Sequence, residues 1–223
     1  MRFKLIAFDL DGVLVEEPSA WWTLHKTFGT YEGSRENLRL YEEGKIDYPE
    51  FMRRDIKLWG KRNIKEVETI LHNYTLTEGA SETCKILRQQ RYQIAIVSAG
   101  IDILARVVSK KLGIKHWIAN GLEVDTEGIL TGEGIYRVDL MEKHIALKEL
   151  ISPSRITLFE SVAVGDSKYD IPFIRACGAG IAFARGGICK ECNPCVESCQ
   201  KIHSLKDLPQ ALSKIKKHQR IDK

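Results

Sequence analysis

The sequence has no long hydrophobic run, no internal repeat and no low-complexity segment. No stretch approaches the roughly 20 consecutive apolar residues that cross a bilayer, so we expect no membrane span and no membrane partner. The apolar residues near the amino terminus are interrupted by Asp9 and Asp11, which is not typical of a secretory signal. These absences predict a cytoplasmic protein.

An excess of charge of one sign is also missing from most of the chain. The formal net charge is +4, from 34 Lys and Arg against 30 Asp and Glu. Residues 201–223 contain seven Lys or Arg and two Asp, so the basic character belongs to the carboxyl-terminal segment. Such a short segment offers few contacts to phosphates, which makes nucleic acid a disfavoured partner. No feature of the sequence indicates an oligomeric state.

Short apolar runs that end at polar turn residues indicate the fold class. With 43% hydrophobic residues in 223, the chain can form a sizeable core. The strand-like runs cover residues 3–8, 92–97, 161–164 and 180–183. Helical patterns alternate with them at residues 80–90, 101–112, 141–151 and 171–176. This alternation predicts an α/β fold with a doubly wound parallel sheet.

Residues 17–75 have helical periodicity and no strand-like run. Their helical patterns cover residues 19–28, 34–43, 48–59 and 64–73. We predict a small helical cap domain at 17–75, inserted into a catalytic core of residues 1–16 and 76–223. Turn residues at 125–128 and 131–134 further predict a small hairpin.

Polar residues follow the predicted strands at the points where ligands bind in parallel sheets. Each has a simpler interpretation by itself: an Asp-Gly turn, a helix cap or a surface lysine. Taken together, in this order along the chain, they indicate one chemical site. Its predicted members are Asp9, Asp11, Ser98, Lys143, Asp166 and Asp170.

These motifs resemble those of haloacid dehalogenase-superfamily phosphatases. The four motifs are residues 8–13 (FDLDGV), 97–100 (VSAG), Lys143 and 165–170 (GDSKYD). The helical insertion after the first motif is similar to the cap of the phosphoserine phosphatase-like branch. The resemblance implies a hydrolase that removes phosphate from a small phosphorylated metabolite.

The resemblance also implies roles for the acidic residues. Asp9 is expected to act as the nucleophile that forms an aspartyl-phosphate, and Asp11 as the general acid and then the general base. The expected cofactor is Mg²⁺, a cation that prefers oxygen ligands. Its implied ligands are the Asp9 carboxylate, the Asp11 backbone carbonyl and Asp166.

Phosphate binding is the role implied for a second group of residues. The Ser98 side chain and the Ala99 N–H are expected to contact phosphoryl oxygens. Lys143 would supply a fixed positive charge there. Asp170 would orient Lys143 or the water shell of the metal.

The sequence departs from this branch at the residues that bind the part of the substrate other than the phosphate. Phosphoserine phosphatases typically bind the substrate amine with a glutamate and its carboxylate with an arginine. Those positions fall on Pro18 and Asp55 here. Neighbouring acids at 16–17 and arginines at 53–54 would rescue both pairings after a shift of one residue, which turns a helical side chain by about 100 degrees. Phosphoserine is therefore one candidate substrate among other phosphomonoesters.

Three aromatic residues near the expected site carry smaller predictions. Trp21 and Trp22 are adjacent on a predicted helix, so we expect only one indole to face the site, through a packing contact between cap and core. Tyr169 stands where this family often has asparagine, and we favour a packing role for its ring.

A cluster of cysteines has no counterpart in this resemblance. The four thiols are Cys189, Cys192, Cys195 and Cys199. Clustered cysteines in a cytosolic chain indicate a metal site before a disulfide framework. Zinc or an iron–sulfur cluster is one interpretation, and reduced thiols in a loop are the other.

Two alternative functions stay open at this point. A phosphotransferase or phosphomutase on the same scaffold would share the aspartyl-phosphate but pass the phosphoryl group to an acceptor other than water. A nucleic-acid-binding or metal-binding module would instead use the cysteine cluster and the basic segment.

Overall fold

The computed structural model describes residues 3–184 and 199–215. Within them the strands are β1 (Leu5–Phe8), β2 (Gln93–Ile101), β3 (His116–Val124), β4 (Leu130–Ile135), β5 (Ser161–Gly165), β6 (Ala179–Phe183) and β7 (Cys199–Ile202). The helices are α1 (Ala20–Phe28), α2 (Tyr31–Glu42), α3 (Tyr48–Trp59), α4 (Ile64–His72), α5 (Ala80–Gln89), α6 (Asp102–Leu112), α7 (Lys143–Ile151), α8 (Ile171–Ala176) and α9 (Leu208–Lys214).

The described strands form one sheet in the order β4-β3-β2-β1-β5-β6-β7. Every neighbouring pair is parallel except β3 and β4. The four residues of β1 are fully buried, as expected for the central strand of a sheet covered on both faces. The predicted α/β fold with a doubly wound parallel sheet is confirmed.

The register of the central strands aligns their carboxyl ends. Phe8 at the end of β1 pairs with Ile96 of β2 on one side and with Val164 of β5 on the other. Ser98 lies two residues beyond Ile96, and Asp166 lies two residues beyond Val164. Asp9 directly follows Phe8, so it lies between Ser98 and Asp166 at this edge of the sheet.

Two predictions about strands β2 and β4 are wrong. Strand β2 was expected to end before Ser98, but it continues to Ile101 after a register shift against β3 that begins at Val97. Residues 131–134 were expected to form a turn, but they belong to β4. A Cβ on Gly134 would come within 2.5 Å of the Met52 side chain, so the small residue there reflects close packing of α3 on the strand.

The helices α1 to α4 lie between β1 and β2 in the chain, and the segments that lead into and out of them run side by side. Val15 forms an antiparallel bridge with Leu76, and the Glu16 N–H donates to the Thr75 carbonyl at 2.9 Å. Both ends of the helical insertion thus meet at one place beside β1. The division into a core of 1–16 and 76–223 and a cap of 17–75 stays a prediction.

Among residues 3–184 and 199–215, no helix is both long enough and apolar enough to cross a membrane.

Candidate active site

A cavity of about 470 Å³ lies at the carboxyl ends of β1, β2 and β5, beneath helices α1 to α3. The core residues predicted for the site line it together, and they are Asp9, Asp11, Ser98, Ala99, Lys143 and Asp166. Asp170 is fully buried and contacts Lys143. The structure therefore brings together the residues that the sequence placed at separate strand ends.

Lys143 is the centre of a buried charge cluster. It is the first residue of α7, is 2% exposed, and has its Nζ 2.8 Å from Asp9 Oδ2 and 2.6 Å from Asp170 Oδ1. The other oxygen of Asp170 accepts hydrogen bonds from the backbone N–H groups of Asp166 and Ser167, both at 3.1 Å. Asp170 thus fixes the ammonium group beside Asp9.

The cluster holds more negative charge than one lysine neutralises. Burial raises the pKa of Asp9 to about 6, although the charge of Lys143 opposes the rise. Burial and the charge of Asp9 raise the pKa of Asp166 to about 8. For Lys143, burial by itself would lower the pKa, but the charges of Asp170 and Asp9 outweigh burial and raise it.

The same oxygens suit a divalent cation. Carboxylate oxygens of Asp9, Asp166 and Asp170 lie within 4.8 Å of one another. Asp9 and Asp166 line the cavity, whereas Asp170 is fully buried and contacts Lys143, so Asp9 and Asp166 are the carboxylates that would hold a metal ion. Mg²⁺ prefers a few carboxylate ligands together with water and phosphate oxygens, and its charge would relieve the repulsion between these acids. The residues present therefore fit Mg²⁺.

Asp11 is held by the beginning of the helical insertion. Its Oδ1 accepts a hydrogen bond from the Ala20 N–H at 2.9 Å, at the amino terminus of α1. Its Oδ2 lies so close to Gly100 that a Cβ there would approach within 2.5 Å. Burial and the nearby charge of Asp9 raise the pKa of Asp11 to about 7. This carboxyl is therefore placed and tuned to exchange protons near neutral pH.

The Ala99 carbonyl accepts three hydrogen bonds that the sequence did not predict. The donors are the indole of Trp21 at 3.1 Å, the hydroxyl of Tyr48 at 2.7 Å and the side-chain amide of Asn120 at 3.0 Å. The next N–H, of Gly100, donates to Ser98 Oγ at 2.9 Å. These bonds fix the orientation of the peptide that follows Ser98.

The substrate-recognition positions differ from the family pattern in the structure as well. Pro18 lies at the cavity but offers no charge, and Asp55 is buried and lines the cavity. Arg53 and Arg54 both pair with Glu50 on their own helix and do not line the cavity. The acids at 16–17 do not line it either. Neither shifted pairing is present at the cavity in this structure, since both arginines pair with Glu50 and the acids at 16–17 do not line it.

Both tryptophans at the start of α1 line the cavity, so the expectation that only one would do so is wrong. Trp21 donates to the Ala99 carbonyl, and Trp22 packs edge-on against Tyr31 with ring centroids 6.1 Å apart. Tyr169 also lines the cavity, and its hydroxyl donates to Glu42 of α2 at 2.5 Å. Its role is thus a polar contact between the segment after β5 and the insertion.

Three of the clustered cysteines, Cys189, Cys192 and Cys195, lie outside the described residues. Cys199 is half-buried at the start of β7. The zinc or iron–sulfur interpretation stays a prediction.

Gly12 is required by both the backbone and the site. Its φ is +74°, a conformation that side chains rarely adopt, and a Cβ would overlap the Asp166 carboxylate. We expect Gly12→Ala to lower kcat/KM by about 10-fold or more, because it displaces a carboxylate of the cluster. Steady-state phosphate release measures the effect.

Gly44→Ala is the matched control for Gly12→Ala. Gly44 has a similar φ of +68°, but a Cβ there meets nothing within 4 Å. Gly44→Ala should lose about 1 kcal/mol of stability through the backbone strain alone and keep its activity. Equal activity losses in the two variants would show that backbone strain, and not contact with Asp166, is responsible.

Comparison with known proteins agrees with this geometry. The model for the family described as haloacid dehalogenase-like hydrolase matches residues 6–175. A phosphoserine phosphatase of Methanocaldococcus jannaschii is 34% identical over 197 residues, which is 87% of this chain and 92% of the relative. The phosphoserine phosphatase of Saccharomyces cerevisiae is 28% identical over 86% of this chain, and the match spans 62% of that relative.

Solved structures give the same result. A structure described as a phospho-aspartyl intermediate analogue of phosphoserine phosphatase has 31% identity and a TM-score of 0.77, over 95% of this chain and 99% of the other. A substrate-bound phosphoserine phosphatase complex has 30% identity and the same TM-score and coverage. This chain belongs to the haloacid dehalogenase-like hydrolase family. The predicted phosphoserine phosphatase-like branch is confirmed.

Proposed function

We propose that this chain is a Mg²⁺-dependent phosphatase that cleaves a small phosphomonoester through an aspartyl-phosphate on Asp9. The observation that carries the proposal is the Lys143 ammonium, which lies between Asp9 and Asp170 with Asp166 beside them. A phosphomonoester is an anion, and a carboxylate nucleophile approaches it only where positive charge is gathered. The family assignment supports the hydrolase activity.

The first half-reaction transfers the phosphoryl group to the protein. The Asp9 carboxylate attacks phosphorus and the bond to the alcohol oxygen breaks. Asp11 donates its proton to that leaving oxygen, a role that fits its position and its pKa of about 7. In the second half, Asp11 takes a proton from water as the water oxygen attacks phosphorus. Asp9 is released as a carboxylate together with inorganic phosphate.

Binding of the phosphoryl oxygens is assigned to three groups around Asp9. These are the Ser98 hydroxyl, the Ala99 N–H and the Lys143 ammonium, which are held by the hydrogen bonds and ion pairs described above. Mg²⁺ bound by Asp9, Asp166 and the Asp11 carbonyl would supply further positive charge for the transferring group. We assign residues 17–75 the role of a cap that excludes bulk water during transfer. A cytoplasmic location stays part of the proposal.

Hydrolysis of p-nitrophenyl phosphate tests the proposed function. We expect phosphate release with Mg²⁺, complete loss with EDTA and recovery when excess Mg²⁺ is added back, because the acidic cluster needs the added positive charge. Activity that is unchanged in EDTA would contradict the metal requirement. No hydrolysis of any phosphomonoester under these conditions would contradict the function.

The same assay also tests which phosphomonoester is the substrate and whether water is the acceptor of the phosphoryl group. The relatives named phosphoserine phosphatases make phosphoserine a candidate substrate. Addition of alcohol acceptors distinguishes hydrolysis from phosphoryl transfer, because a phosphotransferase would form a new phosphomonoester at the expense of free phosphate. We expect free phosphate as the main product.

A further inference from the structure

The part of the cavity formed by the helical insertion is acidic. Outside the catalytic cluster, its charged lining residues are Glu42, Asp55 and Lys168. Lys168 has its Nζ 2.9 Å from Glu42 Oε1, so its charge is already paired. The Asp55 carboxylate is therefore the remaining charged group that a ligand could contact in this part of the cavity.

Asp55 is buried without a cationic partner among the described residues. Only 1% of the residue is exposed, and its Oδ1 accepts from the Asn37 amide at 2.7 Å. Its Oδ2 lies 3.2 Å from His25 Nε2, without hydrogen-bond alignment. A carboxylate buried in this way is stabilised by a positive group that reaches it.

The histidine beside Asp55 does not supply that charge. The indole N–H of Trp59, which can only donate, points at His25 Nδ1 from 3.1 Å. Thr30 Oγ1 lies 2.7 Å from the same nitrogen. Because Nδ1 accepts a hydrogen bond, the ring carries its one proton on Nε2 and is neutral. The negative charge of Asp55 is therefore not balanced by His25.

Helix α3 connects this charge to the phosphate end of the cavity. Tyr48 and Asp55 are seven residues apart and share a face of the helix, about 10 Å along its axis. The Tyr48 hydroxyl contacts the Ala99 carbonyl beside the proposed phosphate site, and Asp55 lies two turns farther on. A molecule with its phosphate at Asp9 would extend its other end along this face.

Aromatic side chains line the same space. The lining rings are Trp21, Trp22, Tyr48, Phe51 and Tyr169. The faces of aromatic rings attract cations, and rings combined with carboxylates are a known means of binding ammonium groups. A carboxylate on the ligand would instead meet Asp55 and find no unpaired cation among the described lining residues of the insertion.

We infer that the substrate is a phosphomonoester of an alcohol that carries a positively charged nitrogen and no carboxylate, such as a phosphorylated amino alcohol or quaternary ammonium alcohol. The inference rests on the proposed phosphatase activity. It names Asp55 as the residue that determines specificity at the end of the cavity away from the phosphate.

Relative kcat/KM values with Mg²⁺ test the inference. The probes are phosphoethanolamine and phosphocholine, neutral glycerol 3-phosphate, and phosphoserine, which adds a carboxylate. We expect at least one cationic substrate to exceed both glycerol 3-phosphate and phosphoserine by about 10-fold or more. Asp55→Asn should reduce that ratio by about 10-fold, whereas Glu127→Gln, which removes an exposed charge in the β3–β4 turn, should leave it unchanged.

The possible outcomes separate this inference from the proposed function. If p-nitrophenyl phosphate is cleaved but glycerol 3-phosphate or phosphoserine is the best of the four probes, the inference is wrong and the phosphatase remains. Calorimetric binding of the same probes to Mg²⁺-loaded Asp9→Asn protein gives a readout without turnover. Equal or weaker binding of the cationic probes would overturn the inference even if no probe were hydrolysed.

Discussion

Asp9→Asn is expected to lower kcat for phosphomonoester hydrolysis by about 10³-fold or more, since an amide cannot form the acyl phosphate. The residue stands directly after β1, is 6% exposed, and has its Oδ2 2.8 Å from the Lys143 ammonium. The variant preserves the shape of the side chain, so the loss measures the nucleophile. Steady-state kinetics with p-nitrophenyl phosphate are the measurement.

Asp207→Asn is the control for the Asp9 variant. Asp207 is an exposed carboxylate at the start of α9, does not line the cavity, and makes no side-chain cap there. Its variant should match the parent in kcat and KM. Thermal unfolding checks that Asp9→Asn remains folded. A folded Asp9→Asn protein with kcat within 10-fold of the parent would show that Asp9 is not the nucleophile.

Lys143→Met is expected to lower kcat by about 10²–10³-fold, because it removes a fixed positive charge beside the transferring group. It should also destabilise the protein by about 3–5 kcal/mol, since Asp9 and Asp170 would be left buried without their shared cation. Steady-state kinetics and denaturant unfolding measure the two effects. The exposed Lys148 on the same helix provides the control variant Lys148→Met.

The pH dependence of the free energy of unfolding gives a second test of the role of Lys143. The charges of Asp170 and Asp9 outweigh burial and raise its pKa above 10.5, so its stabilising contribution is fully present at neutral pH. That contribution is lost only as the pH rises through the raised pKa in the alkaline range. At lower pH the ammonium stays charged, but protonation of Asp9, whose pKa burial raises to about 6, should weaken their pairing and reduce the stability difference between the parent and Lys143→Met.

Lys143→Arg distinguishes charge from position. The guanidinium keeps the charge, but it is larger and planar and cannot occupy a point 2.8 Å from one carboxylate and 2.6 Å from another in the same way. We expect it to recover stability more than activity. If Lys143→Met kept kcat within about 3-fold of the parent, the electrostatic role of the ammonium would be refuted.

Much of the core was predictable because its signals are local. The apolar run of β1 ends abruptly at Asp9, and the run of β5 ends at Gly165 and Asp166, so the chain order alone places acids at two strand ends. The rule that ligands bind at the carboxyl ends of parallel strands then predicts their convergence. The structure agrees, with Lys143 reaching Asp9 from the start of α7.

The parts that were mispredicted depend on contacts between distant segments. The sequence at Ser98 to Gly100 has the composition of a turn, yet β3 pairing carries the strand to Ile101. Gly134 was interpreted as a turn residue, but α3 packs against it. Composition does not distinguish a glycine that turns the chain from one that admits a neighbouring helix.

At the substrate end of the cavity, too, some features follow from the sequence alone and others depend on contacts between distant segments. The sequence alone determined that the family pattern of a glutamate and an arginine is replaced by Pro18 and Asp55. It also determined the order of the four motifs and the helical character of residues 17–75. These properties depend on residue identity and periodicity, which are complete in the linear chain.

Only the tertiary structure decided what surrounds those residues. Ala99 receives hydrogen bonds from Trp21, Tyr48 and Asn120, which come from three different elements. Asp55 faces a neutral histidine, because the Trp59 indole occupies the other nitrogen of that ring. A hydrogen bond needs its two heavy atoms within about 3 Å, and the Coulomb energy falls as the inverse of distance, so the charge balance of the site depends on which segments the fold brings together.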